Sequence, residues 1–171
     1  MGSTRARLAR LISGLAVIDE TLADFLQSGL ACAVATRDAR LVPDCVLAAG
    51  VRIERDRKHA TVFLHDTISR RTLANLKHNG QIAVTLEHLP NHHTIQLKGD
   101  VTRVSKATEA DIADATRFHA GFVKEIEYVG VAPRFSRRLA FLPCHAVTFR
   151  VEAIFEQTPG PKAGACLKEA P

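Results

Sequence analysis

The sequence predicts a mainly β fold with helices (α+β), in which an antiparallel barrel carries helices at its periphery. Six runs of residues have the period of two that is typical of strands. Helices are inserted between these runs rather than alternating with them, which argues against a parallel βαβ sheet. Gly99 lies inside one run and indicates a bulge or bend where a strand curls between two halves of a barrel.

Two helical patterns precede the strands, the second of which begins after Asp19 and ends at Ser28-Gly29. Their apolar positions are Leu8, Leu11 and Ile12 in the first and Leu22, Phe25 and Leu26 in the second. The predicted strands are residues 31–37, 45–54, 59–65, 81–87, 93–104 and 145–157.

Two more helices interrupt the strands. A short one is predicted at 69–78, with Asn79-Gly80 as its stop signal, and a longer one at 109–126. The longer helix opens with a capping box formed by Thr108 and Asp111.

We expect a single domain over residues 1–171. It has a helical arm at 1–18 and a Pro/Gly-rich tail at 158–171 that cannot form a core. Residues 127–144 read as irregular.

The composition is that of an ordinary water-soluble protein, with 46% hydrophobic and 24% charged residues. No run approaches the roughly 18 to 20 apolar residues that span a bilayer, and the first residues are too polar for a secretory signal. We therefore expect a cytoplasmic protein without a membrane partner. Four cysteines lie far apart with no CxxC, which favours free thiols over a zinc or dithiol site: Cys32, Cys45, Cys144 and Cys166.

A net charge of +5 favours an anionic partner. The basic residues are scattered, there is one tyrosine, and there is no tryptophan, so the sequence offers no stacking platform for nucleic acid. A small phosphorylated ligand, which needs two or three well-placed cations, fits the charge better than nucleic acid does.

The stretch Ser69-Arg70-Arg71 places two cations in the first turn of a predicted helix, with Ser69 or Thr67 as its N-cap. Positive charge is disfavoured there by the helix dipole. Backbone N–H groups, a hydroxyl and two guanidinium groups at one point are the chemistry of a phosphate site. In the alternative interpretation, Asp66 or another carboxylate pairs with one arginine and the other is solvated.

Two other stretches carry candidate ligand-binding residues. Thr94, Gln96 and Lys98 share one strand face, which is either solvated or part of a ligand groove. The small residues Ala48-Ala49-Gly50 leave a flat backbone surface for a planar ligand, or serve close packing.

The histidines at 88, 92 and 93 resemble metal or haem ligands by composition. On a hairpin, however, His92 and His93 point to opposite faces, so we predict no metal site. Motifs of nucleophilic catalysis and phosphate loops, namely GxSxG, GxGxxG and GxxxxGK, do not occur in the sequence.

The order strand, D-x-x-S-R-R, helix, N-G-x-I-A-V-x-L strand and T-I-Q-L-K-G-D-V strand resembles the FMN-binding split-barrel proteins related to pyridoxamine 5'-phosphate oxidase. The resemblance covers roughly residues 19 to 157. It implies a six-stranded antiparallel split β-barrel and a homodimer with flavin at the subunit interface. It also implies that Ser69, Arg70 and Arg71 hold the FMN phosphate, with backbone from Leu64 and His65. Thr94 or Gln96 would lie near the flavin ring.

Two departures from the oxidases of this family distinguish the chain. Where they carry an arginine and a lysine on the strand before the phosphate hairpin, this chain has CVLAAGVRIE, with Arg52 as its one possible cation. Their C-terminal segment has a tryptophan, and this chain has none. The resemblance therefore implies an uncharacterised relative rather than the true oxidase.

The function that this resemblance implies is an FMN-dependent oxidoreductase acting on a small molecule. The alternative is a flavin or haem carrier or sensor without turnover. FAD and deazaflavin are the other flavins considered. No side chain is an evident acid or base, and the candidates to face the ring are His92, His93 and Arg134.

Overall fold

A computed structural model describes residues 16–136 and 138–169 of the chain. The predicted helix at Leu8, Leu11 and Ile12 lies outside the described residues. The helices are α1 (Glu20–Leu26), α2 (Arg70–Asn79), α3 (Glu109–Tyr128) and α4 (Pro133–Ser136). The strands are β1 (Ala31–Arg37), β2 (Pro43–Leu47), β3 (Gly50–Ile53), β4 (His59–His65), β5 (Gln81–His88), β6 (His93–Lys106), β7 (Cys144–Glu156) and β8 (Cys166–Glu169).

The strands form one antiparallel sheet in the order β2-β1-β5-β6-β7-β4-β3, with β8 added beside β7. Its centre is the long pair β6 and β7, whose register shifts between Lys98 and Gly99. A Cβ atom at Gly99 would lie 1.8 Å from the carbonyl oxygen of Arg150, so only glycine fits there. The irregularity predicted at Gly99 is confirmed, and the sheet curls around an apolar interior.

The interior is filled by alternate side chains of the strands, because successive residues of a strand point to opposite faces. Helices α1 and α2 add Leu26, Leu73 and Leu76 to this core. A smaller cluster lies under α3, on the other face of the sheet, and contains Ala49, Phe63, Ala115, Cys144 and Ala146. The fully buried residues of the interior include Val34, Val62, Leu64, Val84, Leu86, Leu97 and Phe149.

The predicted strand 45–54 is two strands in the structure. The Ala48 N–H group donates to the carbonyl of Cys32 on β1, whereas the Ala49 N–H group donates to Phe63 on β4. The chain therefore passes from one edge of the sheet to the other within two residues. Small side chains allow this sharp passage, which the alternating pattern did not reveal.

The Pro/Gly-rich tail also differs from the prediction, because it turns back and forms β8. Gly164 donates to the carbonyl of Glu156, and Glu156 donates to the carbonyl of Ala165. Gly164 has a φ of +87°, which favours glycine. Lys168 then binds Asp19 before α1, with 2.8 Å between Nζ and Oδ2. Strand β8 is held by backbone hydrogen bonds and this ion pair and does not depend on apolar side chains. For this reason its sequence shows no apolar alternation.

The predicted caps of α1 and α3 and the predicted stop of α2 agree with the structure, whereas α3 runs two residues beyond its predicted end at 126. Asp19 accepts a hydrogen bond from the N–H group of Leu22 and caps α1. Helix α2 ends at Gly80, whose φ is +72°. The capping box of Thr108 and Asp111 is present at α3. The short helix α4 lies in the stretch that was predicted to be irregular. Within the described residues, every helix is too short or too polar to cross a bilayer.

Candidate functional site

The junction between β4 and α2 brings the predicted phosphate residues together. The Ser69 N–H group donates to the carbonyl of His65 at 3.1 Å, which closes a helical turn over residues 65–69. The Asp66 N–H group donates to the carbonyl of Pro143 at 2.9 Å and ties this turn to the residues before β7. Helix α2 then starts at Arg70, directly after the turn.

Ser69 is fully buried at the N-cap of α2, but its hydroxyl caps nothing. Its Oγ atom has no hydrogen-bond partner among the described residues. A buried polar atom left unpaired costs about 1 to 3 kcal/mol, so such atoms are uncommon in folded proteins. A hydroxyl in this state, beside a helix N-terminus, is suited to donate to an anion.

The two arginines differ in their surroundings. Arg70 is exposed and forms no ion pair or hydrogen bond through its side chain within the described part of the chain. The Arg71 side chain is 52% exposed, with Nη2 3.8 Å from Oδ2 of Asp38 and Nε 4.0 Å from Oδ1 of Asp44. These distances are too long for hydrogen bonds. Arg71 therefore has loose carboxylate neighbours, and the guanidinium of Arg70 is available to a ligand.

The first turn of α2 also offers unpaired backbone donors. The N–H groups of Arg70, Arg71 and Thr72 form no hydrogen bonds with any described residue, whereas that of Leu73 donates to Ser69. The Thr72 hydroxyl is already used, because it donates to Asp44 at 2.6 Å. The N-terminus of α2 thus carries backbone N–H groups, the Ser69 hydroxyl and the Arg70 side chain on consecutive residues, which is typical of anion-binding helix N-termini.

Leu64 and His65, the predicted backbone contributors, end β4 directly before this turn. Leu64 is fully buried, and both residues pair with β7. The His65 Nδ1 atom accepts from the N–H group of Thr67 at 3.1 Å. His65 is therefore used twice, through its carbonyl and its ring, to shape the turn.

Ala49, Gly50 and Arg52 occupy a different place, because they contact α3, whereas Ala48 packs against the main core. A Cβ atom at Gly50 would lie 2.6 Å from the Phe118 ring, and Ala49 is buried in the cluster under α3. The predicted flat surface is thus occupied by α3 itself, which is the close-packing alternative.

Arg52 is engaged by three carboxylates. Its Nη1 atom lies 2.8 Å from Asp111 and 2.9 Å from Asp114, and its Nη2 atom lies 3.0 Å from Glu54. Burial disfavours the charge of Arg52, but the hydrogen bonds to Asp114, Asp111 and Glu54 outweigh it and raise its pKa. Arg52 joins β3 to α3, and a phosphate would have to displace these partners to bind it.

Thr94 and Gln96 lie on one face of β6, as predicted, but in different surroundings. Thr94 is buried; its hydroxyl donates to the carbonyl of His92, and its N–H group donates to Thr158 of the tail. Gln96 is half-buried and donates to the Thr85 hydroxyl at 2.9 Å. Beside them, Lys98 lies over the Phe155 ring. Gln96 is therefore the more accessible of the two candidates for the flavin ring.

The three hairpin histidines bind three separate partners. His88 lies 2.8 Å from the side chain of Asn91, and His92 lies 2.7 Å from Glu87. His93 packs against Phe25, with 4.5 Å between the ring centroids. Among the described residues, no group of three His, Cys, Asp or Glu side chains could hold a metal ion. Arg134, the third candidate to face a flavin ring, lies over the exposed ring of Phe135.

One contact at this site was not predicted from the sequence, namely that between His145 and Asp66. The Nδ1 atom of His145 lies 2.6 Å from Oδ1 of Asp66. The two residues are 79 positions apart, and β7 brings them together by pairing with β4. A local motif cannot reveal a pair of this kind.

The profile of the family described as pyridoxamine 5'-phosphate oxidase matches residues 18–149, well over half of the chain. The chain belongs to the pyridoxamine 5'-phosphate oxidase family. The matched range contains the turn at residues 65–69 and the start of α2, so the candidate anion site lies inside the family domain. No curated protein matches the chain significantly.

Solved structures share the split-barrel fold of this family. HupZ of Group A Streptococcus is 18% identical, with 86% of this chain and 100% of that chain covered and a TM-score of 0.54. An FMN-binding protein from Syntrophomonas wolfei is 14% identical, with 90% and 93% covered and a TM-score of 0.51. An F420 reductase is 14% identical, with 80% and 98% covered and a TM-score of 0.53. At these identities the likeness establishes the fold, and the predicted fold class is confirmed.

Proposed function

We propose that this protein binds FMN and uses it as an oxidoreductase acting on a small molecule. The observation that carries the proposal is that the buried Ser69 hydroxyl and the side chain of the next residue, Arg70, have no partner among the described residues. FMN ends in a phosphate, and an anion there would satisfy the hydroxyl, the guanidinium and the free N–H groups together. Each charge-assisted hydrogen bond contributes about 1.5 to 3 kcal/mol.

In the alternative interpretation, one arginine pairs with a carboxylate and the other is solvated. Arg71 beside Asp38 and Asp44 and the exposed Arg70 are compatible with it, but it leaves the buried Ser69 hydroxyl unexplained. A phosphate site explains all three residues. The membership of the chain in the pyridoxamine 5'-phosphate oxidase family, and an FMN-binding protein among those that share its fold, support the choice of FMN.

The flavin, when bound, supplies the electron transfer. The chain would hold the phosphate through Ser69, Arg70 and Arg71 and would position the ring with polar groups of β6. Gln96 is the candidate for the ring, because Thr94 is covered by the tail. The protein would thus supply binding and orientation, and the substrate pocket would select the small molecule.

We further propose a homodimer with the flavin at the interface. Tyr128, at the end of α3, begins a segment rich in exposed apolar side chains, which runs to residue 142 and includes α4. Half of the exposed large hydrophobic residues in the described part of the chain lie there: Tyr128, Val129, Val131, Phe135, Leu139 and Leu142. Exposed apolar residues concentrated in one segment of this kind are typical of interaction sites. A second copy of the chain would bury it.

Titration of the purified protein with FMN, FAD, F420 and haem, followed by absorbance and flavin fluorescence, tests the cofactor. We expect one FMN per chain, bound more tightly than the other three. A haem spectrum with no flavin binding would instead support a haem carrier or sensor.

Anaerobic mixing of the FMN complex with NADH or NADPH tests the activity. Rapid bleaching of the flavin followed by reoxidation with an acceptor would identify an oxidoreductase. A flavin that binds tightly and is reduced by neither donor would favour the carrier alternative.

A further inference from the structure

Asp66 lies in the turn over residues 65–69, and Arg70 is the first residue of α2. Asp66 is the acidic residue nearest to Arg70 in sequence, and opposite charges this close attract each other. In the structure, however, Arg70 has no ion-pair partner among the described residues, and Asp66 binds His145 instead.

The contact between His145 and Asp66 is short and partly shielded from water. The Nδ1 and Oδ1 atoms are 2.6 Å apart, and the side chains are 24% and 33% exposed. The position of His145 is fixed by β7, where it stands opposite Leu64, and the Pro143 carbonyl holds the Asp66 N–H group. Asp66 is therefore drawn towards β7 through both its backbone and its side chain.

Other charged groups near the turn do not replace this contact. Arg71 has Asp38 and Asp44 as its neighbours, and the His65 ring accepts from Thr67. Lys106 stands opposite His145 in the register of β6 and β7, and its side chain is exposed. Within the described residues, His145 is thus the partner that competes with Arg70 for Asp66.

We propose that His145 is a positioning residue of the anion site. By binding Asp66, it keeps this carboxylate away from Arg70 and leaves the guanidinium free for the phosphate. Without His145, Asp66 would pair with Arg70 and would also repel the phosphate. The proposal rests on the proposed function, because it concerns how the same site accepts its anion.

A set of variants separates this role from a structural one. We expect His145→Ala to weaken FMN binding about tenfold, by about 1.4 kcal/mol. Asp66→Asn alone should bind FMN at least as tightly as the wild type. In the double variant, Asp66→Asn should restore the affinity lost in His145→Ala. His145→Gln, which keeps a hydrogen-bond donor, should stay within about threefold of the wild type.

The control is His59→Ala, which removes another histidine whose ring contacts an aspartate, in this case Asp56. His59 and Asp56 also have 2.6 Å between their side chains, but they lie at the opposite end of β4 from the anion site. We expect unchanged FMN affinity in this variant. Melting temperatures of all variants, measured without ligand, verify that each one is folded.

The decisive outcome is the affinity of the double variant. If it binds FMN as weakly as His145→Ala does, His145 acts through the structure of the turn and the proposal is wrong. The same holds if His145→Ala folds and binds like the wild type. If His145→Ala does not fold, the FMN affinities of His145→Gln and Asp66→Asn test the proposal instead. A loss of more than tenfold in both variants would overturn it.

Inorganic phosphate distinguishes a failure of this inference from a failure of the proposed function. If the wild type does not bind FMN, the same variants are compared by thermal stabilisation in phosphate against chloride at equal ionic strength. If phosphate stabilises the variants in the order expected for FMN affinity, the role of His145 stands and FMN is rejected as the ligand. A wild type that phosphate does not stabilise would reject both proposals.

Discussion

The Nη1 atom of Arg52 lies 2.8 Å from Oδ1 of Asp111, a contact that fastens the first turn of α3 to β3. Asp111 is buried and also accepts from the N–H group of Thr108 in the capping box. Removing one partner of a buried ion pair leaves the other charge uncompensated, which costs about 3 to 5 kcal/mol. Asp114 and Glu54 remain as partners of Arg52 and reduce this cost.

Substitution Asp111→Asn should therefore lower the free energy of unfolding by about 2 to 3 kcal/mol, as measured by urea denaturation. The matched control is Arg117→Ala, which removes an exposed ion pair to Asp114 on the same helix. It should cost less than about 1 kcal/mol. Equal losses in the two variants would show that the Arg52 contact does not anchor α3.

The contribution of Asp111 should also depend on pH. Burial would raise the pKa of Asp111, but the N–H group of Thr108 and the Arg52 guanidinium outweigh it and hold the pKa below 3.8. The unfolded chain then binds its proton at a higher pH than the folded chain does. The stabilisation is therefore complete above pH 3.8 and is lost as the pH falls through the folded pKa.

Comparison of the wild type with Asp111→Asn isolates this effect from the other carboxylates. The difference in unfolding free energy should be constant near neutral pH and should shrink on acidification below 3.8. A difference that keeps its full size well below that pH would contradict the assignment.

Two glycines with the same backbone angle allow a test of packing. Gly29 and Gly130 both have a φ of +99°, so alanine is strained at either position. A Cβ atom at Gly29 would lie 2.5 Å from the Cα atom of Gly121 on α3, whereas a Cβ atom at Gly130 meets nothing within 4 Å.

Gly130→Ala should cost about 1 to 2 kcal/mol from backbone strain, and Gly29→Ala about 1 to 3 kcal/mol more from overpacking. Thermal and urea unfolding measure the stability loss of each variant. Similar losses at the two positions would mean that α3 does not approach the α1–β1 connection this closely.

The exposed apolar segment from Tyr128 to Leu142 provides a prediction about assembly. Substituting a charge for Phe135, which is 52% exposed, should weaken the proposed dimer by placing the charge in an apolar interface. We expect Phe135→Glu to shift the sedimentation of the protein towards the monomer. Leu167→Glu, at a residue 49% exposed on β8, is the control and should leave the sedimentation unchanged. A wild type that sediments as a monomer at all concentrations would contradict the dimer.

Periodicity and turn chemistry were sufficient to predict most of the fold. The caps at Asp19 and Thr108, the stop at Gly80 and the irregularity at Gly99 each follow from a residue type with one dominant conformational use. The division between β2 and β3 was missed because it depends on which strands the backbone pairs with. Strand β8 was missed because its stability comes from backbone hydrogen bonds.

For the site, the local sequence made Ser69, Arg70 and Arg71 candidates because positive charge at a helix start requires an explanation. The carboxylate partners of Arg52 could not be predicted in this way, since Asp111 and Asp114 are about 60 residues away in sequence. The contact of His145 with Asp66 is equally remote in sequence. The charge of residues at a helix end can be read from the local sequence. The partner that neutralises a charged side chain depends on the tertiary fold.

The affinity of variants of α2 for FMN tests the proposed phosphate site most directly. Fluorescence titration should show FMN binding to the wild type, with a loss of at least about tenfold in Arg70→Ala and in Ser69→Ala. Lys77→Ala removes an exposed cation from the last turn of the same helix and should bind like the wild type. If the wild type binds no FMN, or if Arg70→Ala binds it as tightly as Lys77→Ala does, the junction of β4 and α2 does not hold the FMN phosphate.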